Sequence, residues 1–224
     1  MNSQDLIKEC EQAILEKRFE DAIGLTERAL QKDANDVSAL YLKARALSNS
    51  DSFQEALIQY DRLLRLVEDD PGWQANALIS KSDALIELNR LDEAEDCLDR
   101  ALGIKPGLAR GWIHKARIEV RRENFKRSLE FCDRAISMDK NDPRAWTSRA
   151  HALYRLKKYK KCIQSAEKAL SIKPDYEQAF VHMARAYLEM GKIRELKECE
   201  QRFMEVMKQR GPMPEYTEDH RSAV

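Results

Sequence analysis

The sequence predicts an all-α fold, a row of helix–turn–helix units that stack on one another, and three observations predict it. The fragment "ALGIKP" at 101–106 returns as "ALSIKP" at 169–174, with "AISMDK" midway at 135–140, so the chain repeats every 34 residues. Breakers are scarce, with 7 glycines and 6 prolines in 224 residues. Each 34-residue unit holds two stretches of helical apolar periodicity parted by a short polar turn.

Six units follow in order: 3–36, 37–70, 75–108, 109–142, 143–176 and 177–210, with a four-residue insertion, "PGWQ", at 71–74. The turns are "LEKRF", "SNSDSF", "ELNRL", "RRENF", "RLKKY" and "EMGKI", each closing on a bulky apolar residue: Phe19, Phe53, Leu91, Phe125, Tyr159 and Ile193. Within each first helix a small residue recurs: Cys10, Ala44, Ser82, Ala116, Ala150, Ala184. The second helices carry two further small columns, Ala22, Ala56, Ala94, Ser128, Cys162 and then Leu196, and Ala29, Leu63, Ala101, Ala135, Ala169 and then Phe203. Small side chains at fixed phase let helices approach closely, because the side chains at a contact set the helix separation. One such unit cannot bury its apolar face alone, so the units must stack.

These columns, with Trp112 and Trp146 in the early large-residue position and the closing "IKP", resemble the tetratricopeptide repeat family over residues 3–210. The resemblance implies a right-handed α-solenoid of stacked antiparallel helix pairs, with the first helices lining a concave groove that holds an extended peptide or a partner's helix. The edges depart from the pattern: unit one has Leu6 and Cys10, and the last unit loses two alanines.

Other chemistry finds little support. Lys+Arg and Asp+Glu total 39 each, so the overall charge selects no partner. The five cysteines form no Cys-x-x-Cys pair, which leaves neither a zinc nor a redox motif and fits a reducing cytoplasm. No glycine-rich phosphate loop or His-Glu-x-x-His motif is present, and the carboxylates of "EAEDCLDR" read as a solvated helix face. The expectation is therefore a non-enzyme without cofactor or metal. The charged start and the lack of eighteen consecutive apolar residues argue against a signal peptide and a membrane span.

The groove columns implied by the resemblance are most informative in units four to six. They carry Arg110, His114, Arg117 and Arg121, then Arg144, His151, Tyr154 and Arg155, then His182 and Arg185; unit two adds Tyr41 and Arg45. The expected ligand is an acidic protein or peptide segment, because guanidinium forks bind carboxylates in pairs. His114, His151 and His182 fall in three successive layers and read as polar lining rather than a metal site. The clamp that some members use for acidic chaperone tails is not reproduced, since Ile7 and Glu11, or Ile79 and Asp83, fill its columns. Single-stranded RNA binding is the rival reading; it is disfavoured because the groove offers only Tyr41 and Tyr154 as stacking platforms. A third reading is an architectural subunit that assembles through its ends or convex face. Leu196, Phe203, Met204 and Met207 in the last helix read either as a cap on the array or as an apolar surface for a second copy, the cap being preferred. Residues 211–224, with Glu215, Glu218 and Asp219, read as a disordered acidic tail.

Overall fold

Helix formation follows the apolar periodicity directly. The computed structural model describes residues 2–209, and every regular element among them is an α-helix. Two units divide after Met138. The first contains α1 (Ser3–Leu15), α2 (Phe19–Lys32), α3 (Val37–Asn49), α4 (Phe53–Leu66), α5 (Pro71–Glu87), α6 (Leu91–Ile104), α7 (Ala109–Arg121) and α8 (Phe125–Met138). The second contains α9 (Pro143–Arg155), α10 (Tyr159–Ile172), α11 (Glu177–Glu189) and α12 (Ile193–Gln209). The expected tail 211–224 lies outside the described residues.

In each unit, consecutive helices pack as pairs, and each first helix touches the next: α1 on α3, α3 on α5 and α5 on α7 in the first unit, α9 on α11 in the second. The small columns make this possible. Ala22, Ala56, Ala94, Ser128 and Cys162 are all fully buried, as are Ala29, Leu63, Ala101, Ala135 and Ala169. Around them the large side chains lock in, with Leu78, Ile79, Leu85, Ile86, Leu98 and Ile118 forming one cluster about α5 and α6. Trp112 Nε1 donates to the Pro106 carbonyl at 3.2 Å and Trp146 Nε1 to Lys140 at 2.9 Å, one repeat apart, which ties each first helix to the loop before it.

The inserted "PGWQ" does not sit between two units. It lengthens the first helix of the third repeat to 17 residues, against 13 in its neighbours. Asp70 caps that extra turn, accepting from the amides of Gly72 at 2.8 Å and Trp73 at 3.0 Å, and Pro71 occupies the first helical position, where no amide is needed.

All six intra-repeat turns use one device. The residue after the first helix's C-cap takes a left-handed conformation: Lys17, Asp51, Asn89, Glu123, Lys157 and Gly191 all have φ between 56° and 67°. The following amide then reaches back to the last turn, as Arg18 N to Ala13 O (2.8 Å), Arg90 N to Leu85 O (2.9 Å) and Lys192 N to Tyr187 O (2.9 Å). This closes the orphan carbonyls and fixes where the second helix starts. Charge adds a further tie between α6 and α7. The nearly buried Lys115 ammonium meets Asp99 at 2.5 Å, and Arg122 bridges Asp92, Glu95 and the buried Glu119.

Only the sixth turn has glycine, and a Cβ there would meet nothing within 4 Å. Gly191→Ala should therefore cost about 1 kcal/mol through the left-handed backbone alone, and replacing the exposed Lys17, which has the same left-handed backbone, by glycine (Lys17→Gly) should shift stability the other way. Urea midpoints followed by circular dichroism check both directions.

Candidate functional site

In the first unit the mapped face runs over α3, α5 and α7. Tyr41 is edge-on to Trp73 at 5.3 Å and to Tyr60 at 6.5 Å, with the Arg45 guanidinium 5.7 Å over its ring. Its hydroxyl shares a hydrogen bond with Ser80 Oγ at 3.1 Å, and Arg110 Nη2 donates to the same oxygen at 2.5 Å. His114 is buried, its Nδ1 3.1 Å from Ser82 Oγ, so it belongs to the packing rather than the lining. Arg117 bonds both Asp83 and Glu87, and Arg121 bonds Glu87 at 2.9 Å.

These pairs correct the cationic face expected in the fourth repeat, where Arg117 and Arg121 are held by acids of the preceding first helix. Burial would raise the Asp83 carboxyl, but His114, Arg117 and Arg110 together hold it below its ordinary range. The signal was present in the sequence. Asp83 and Glu87 precede Arg117 and Arg121 by one 34-residue period, so each acid occupies the same column as the base it meets.

In the second unit the face runs over α9 and α11. Arg144 folds back on Asp142, the N-cap of α9, with Nη2 2.7 Å from its carboxylate. His151 and His182 stack with centroids 4.9 Å apart and planes 16° from parallel. Their expected separation into layers thus overlooked that rings on neighbouring first helices lean together. Stacked imidazoles turn their nitrogens alongside rather than toward a common point, and no group of three His, Cys, Asp or Glu able to hold a metal occurs among the described residues. Arg155 and Arg185 are exposed, and Arg185 makes no ion pair among the described residues. Glu189, the one carboxylate in these columns, accepts from the hydroxyls of Tyr154 and Tyr159, each at 3.4 Å. Val181 and Leu188 stand 40% and 58% exposed beside it.

The last helix splits the candidate self-association residues. Phe203 turns onto Phe180 with centroids 5.3 Å apart, Leu196 and Met207 are half-buried, and Met204 alone of the four is exposed. All five thiols are buried. Burial pushes the pKa of Cys10 and Cys199 up to about 11 and that of Cys162 to about 12, which removes their nucleophilic form near neutrality.

Residues 143–176 match the family profile described as tetratricopeptide repeat, and residues 16–101 match that of anaphase-promoting complex, cyclosome, subunit 3. No curated protein sequence matches the chain. Among solved structures, a thermophilic tetratricopeptide repeat protein of Thermus thermophilus superimposes with TM-score 0.74 at 21% identity, over 83% of this chain and 99% of that one. The anaphase-promoting-complex hetero-tetramer of Cut9 and Hcn1 gives TM-score 0.78 at 13% identity, over 92% of this chain and 40% of that one. YrrB, a tetratricopeptide repeat protein with an unusual peptide-binding site, gives 0.52 at 19% identity, over 81% and 91%. At these identities the likeness is one of fold.

The imidazole pair carries a pH prediction. Burial, then His151 and Arg185, pushes His182 down to about 4, and its buried Nδ1 has no hydrogen-bond partner. A base with a lowered folded pKa leaves the unfolded chain holding more protons, so stability falls as pH drops below about 6.5 and levels off near 4. At pH 5 the loss should be about 2 kcal/mol. Urea midpoints at pH 7 and pH 5 should converge in His182→Gln relative to wild type.

Proposed function

We propose that the chain, whose residues 143–176 match the tetratricopeptide repeat profile, is a non-enzymatic adaptor that holds an extended acidic peptide along the face formed by α9 and α11. What supports this reading is a contrast between two faces. On α7, Arg117 and Arg121 already have carboxylate partners. On α11, Arg185 has none among the described residues, and the one nearby carboxylate is occupied by two tyrosines. Exposed Val181 and Leu188 add apolar surface on the same helix. A peptide suited to this face pairs carboxylates with an apolar anchor. The anchor supplies burial, and the guanidinium groups supply selection and encounter rate.

Anisotropy titration with an acidic peptide and a charge-neutral peptide of equal length tests the reading. The acidic peptide should bind more tightly, and its advantage should shrink between 50 and 500 mM salt, roughly the range over which the Debye length falls from above 10 Å toward 3 Å. Arg185→Glu should weaken acidic-peptide binding on the order of tenfold, as loss of a charge-assisted contact does. Arg117→Glu should lower stability while leaving affinity nearly unchanged, because Arg117 bridges two carboxylates. Equal, salt-insensitive binding of both peptides would refute acidic selection. Tighter retention of single-stranded RNA than of either peptide in a gel-shift would move the function to nucleic acid.

A further inference from the structure

A second charged surface lies on the turn that joins α9 to α10. Lys157, Lys158, Lys160 and Lys161 surround Tyr159 and, with Met190, line an open recess of about 440 Å³. The lysines are exposed, and among the described residues none of their ammonium groups has an ion-pair partner. The floor is apolar, made by the Tyr159 ring, the Met190 side chain and the lysine stems, so the charge sits on the rim.

This arrangement reverses what the rest of the array does at the same place. The first turns of the other second helices hold acids: Glu20 and Asp21 in α2, Glu55 in α4, Asp92 and Glu93 in α6, and Glu195 in α12. In three of them the base beside the turn pairs with that acid, as Arg18 with Asp21, Arg90 with Glu93 and Lys192 with Glu195. α8 also lacks acids there, but its Arg127 lies 4.0 Å from Glu119. Among the described helices, α10 alone places four unpaired cations at its positive end, where they repel one another and the helix dipole. An arrangement that costs the fold stability in this way becomes favourable once an anion covers it.

We propose that this recess binds the acidic segment 215–219 of the same chain, "EYTED". Its single aromatic residue, Tyr216, is flanked by Glu215 on one side and Glu218 and Asp219 on the other, which complements an apolar floor with a cationic rim. Lysine suits such a guest, since its ammonium is a flexible point charge that accepts carboxylates in many geometries. The reach is sufficient. α12 starts three residues after Met190 and carries the chain about 25 Å away over its 17 residues. From Gln209, the ten residues to Asp219 span about 33 Å when extended, enough to return to the recess. Tethering holds the segment at an effective concentration in the millimolar range, so weak carboxylate–lysine contacts suffice for occupancy.

Carbodiimide cross-linking of the full chain, which joins a carboxylate directly to a lysine amine, tests the contact. An isotopically mixed sample separates links within a chain from links between copies. Intrachain links from Glu215, Glu218 or Asp219 to lysines 157–161 should dominate and fall severalfold between 50 and 500 mM salt. Lys157→Glu with Lys160→Glu should abolish the links to the two remaining lysines. That variant should fold, because other repeats carry Glu123 and Glu20 at these positions. Adding Glu215→Lys and Glu218→Lys should restore linkage with the polarity exchanged. The proposal is overturned if tail carboxylates link evenly to lysines elsewhere, link solely between copies, or ignore the charge reversal. It is overturned equally if no tail link forms while vesicles containing phosphatidylserine retain the wild type and not the reversed variant, since the guest would then be lipid.

Discussion

Close approach of the helices, set by the small-residue columns, is the constraint on which the rest of this structure depends. With Ala22, Ala56, Ala94, Ser128 and Cys162 shut out of solvent, the two helices of a pair leave no gap, and their larger apolar residues are brought against the next pair. A larger side chain at any of these five buried positions would push its pair apart; Leu196, in the same column of the last pair, is only half-buried. The left-handed turn residue acts with this constraint. It ends each first helix through the same backbone contacts, so that each second helix starts two residues after the left-handed residue. Five of the six turns accept the strain of a non-glycine residue there, so the turn geometry is enforced by the packing around it rather than by backbone preference.

A regular period has an electrostatic consequence. Side chains one repeat apart face each other across adjacent first helices, so charge on this face must be read in pairs of repeats. Asp83 with Arg117 and Glu87 with Arg121 form such pairs. Surface pairs of this kind contribute little to stability individually. Their larger effect is on recognition, because a guanidinium already satisfied by a neighbour offers less to a ligand. The contrast between α7 and α11 follows from this, since Arg185 sits one period after His151 and not after an acid.

Most of the fold was legible in the sequence because it is periodic. Helix positions, turns and small columns all recur, and repetition averages away the ambiguity of any one segment. Features that break the period were read less well. "PGWQ" shows as an insertion when repeats are aligned by their apolar columns; Asp70 and Pro71, a cap followed by a residue suited to the first helical position, are what mark it as an added helical turn. The site was less legible for a different reason. Counting charge along one helix face treats each repeat alone, whereas the pairing of Arg117 and the stacking of His151 on His182 are properties of two helices at once. His114 illustrates the same limit, since its burial depends on Ser82 in the neighbouring repeat offering a partner for Nδ1.

On the α9–α11 face, the columns that pack between helices in earlier repeats reach solvent. Val181 stands in the position held by Ile79, Ile113 and Thr147 in earlier repeats, which are 1%, 4% and 3% exposed, while Val181 is 40% exposed. Leu188 stands in the position of Ile86, which is fully buried, and is itself 58% exposed. Val181 and Leu188 are as apolar as Ile79 and Ile86; what differs is that no further helix pair follows α12 among the described residues. A column that packs against the next helix in earlier repeats is therefore open to solvent here, and the proposed acidic guest rests on Arg185 lying exposed on the same helix.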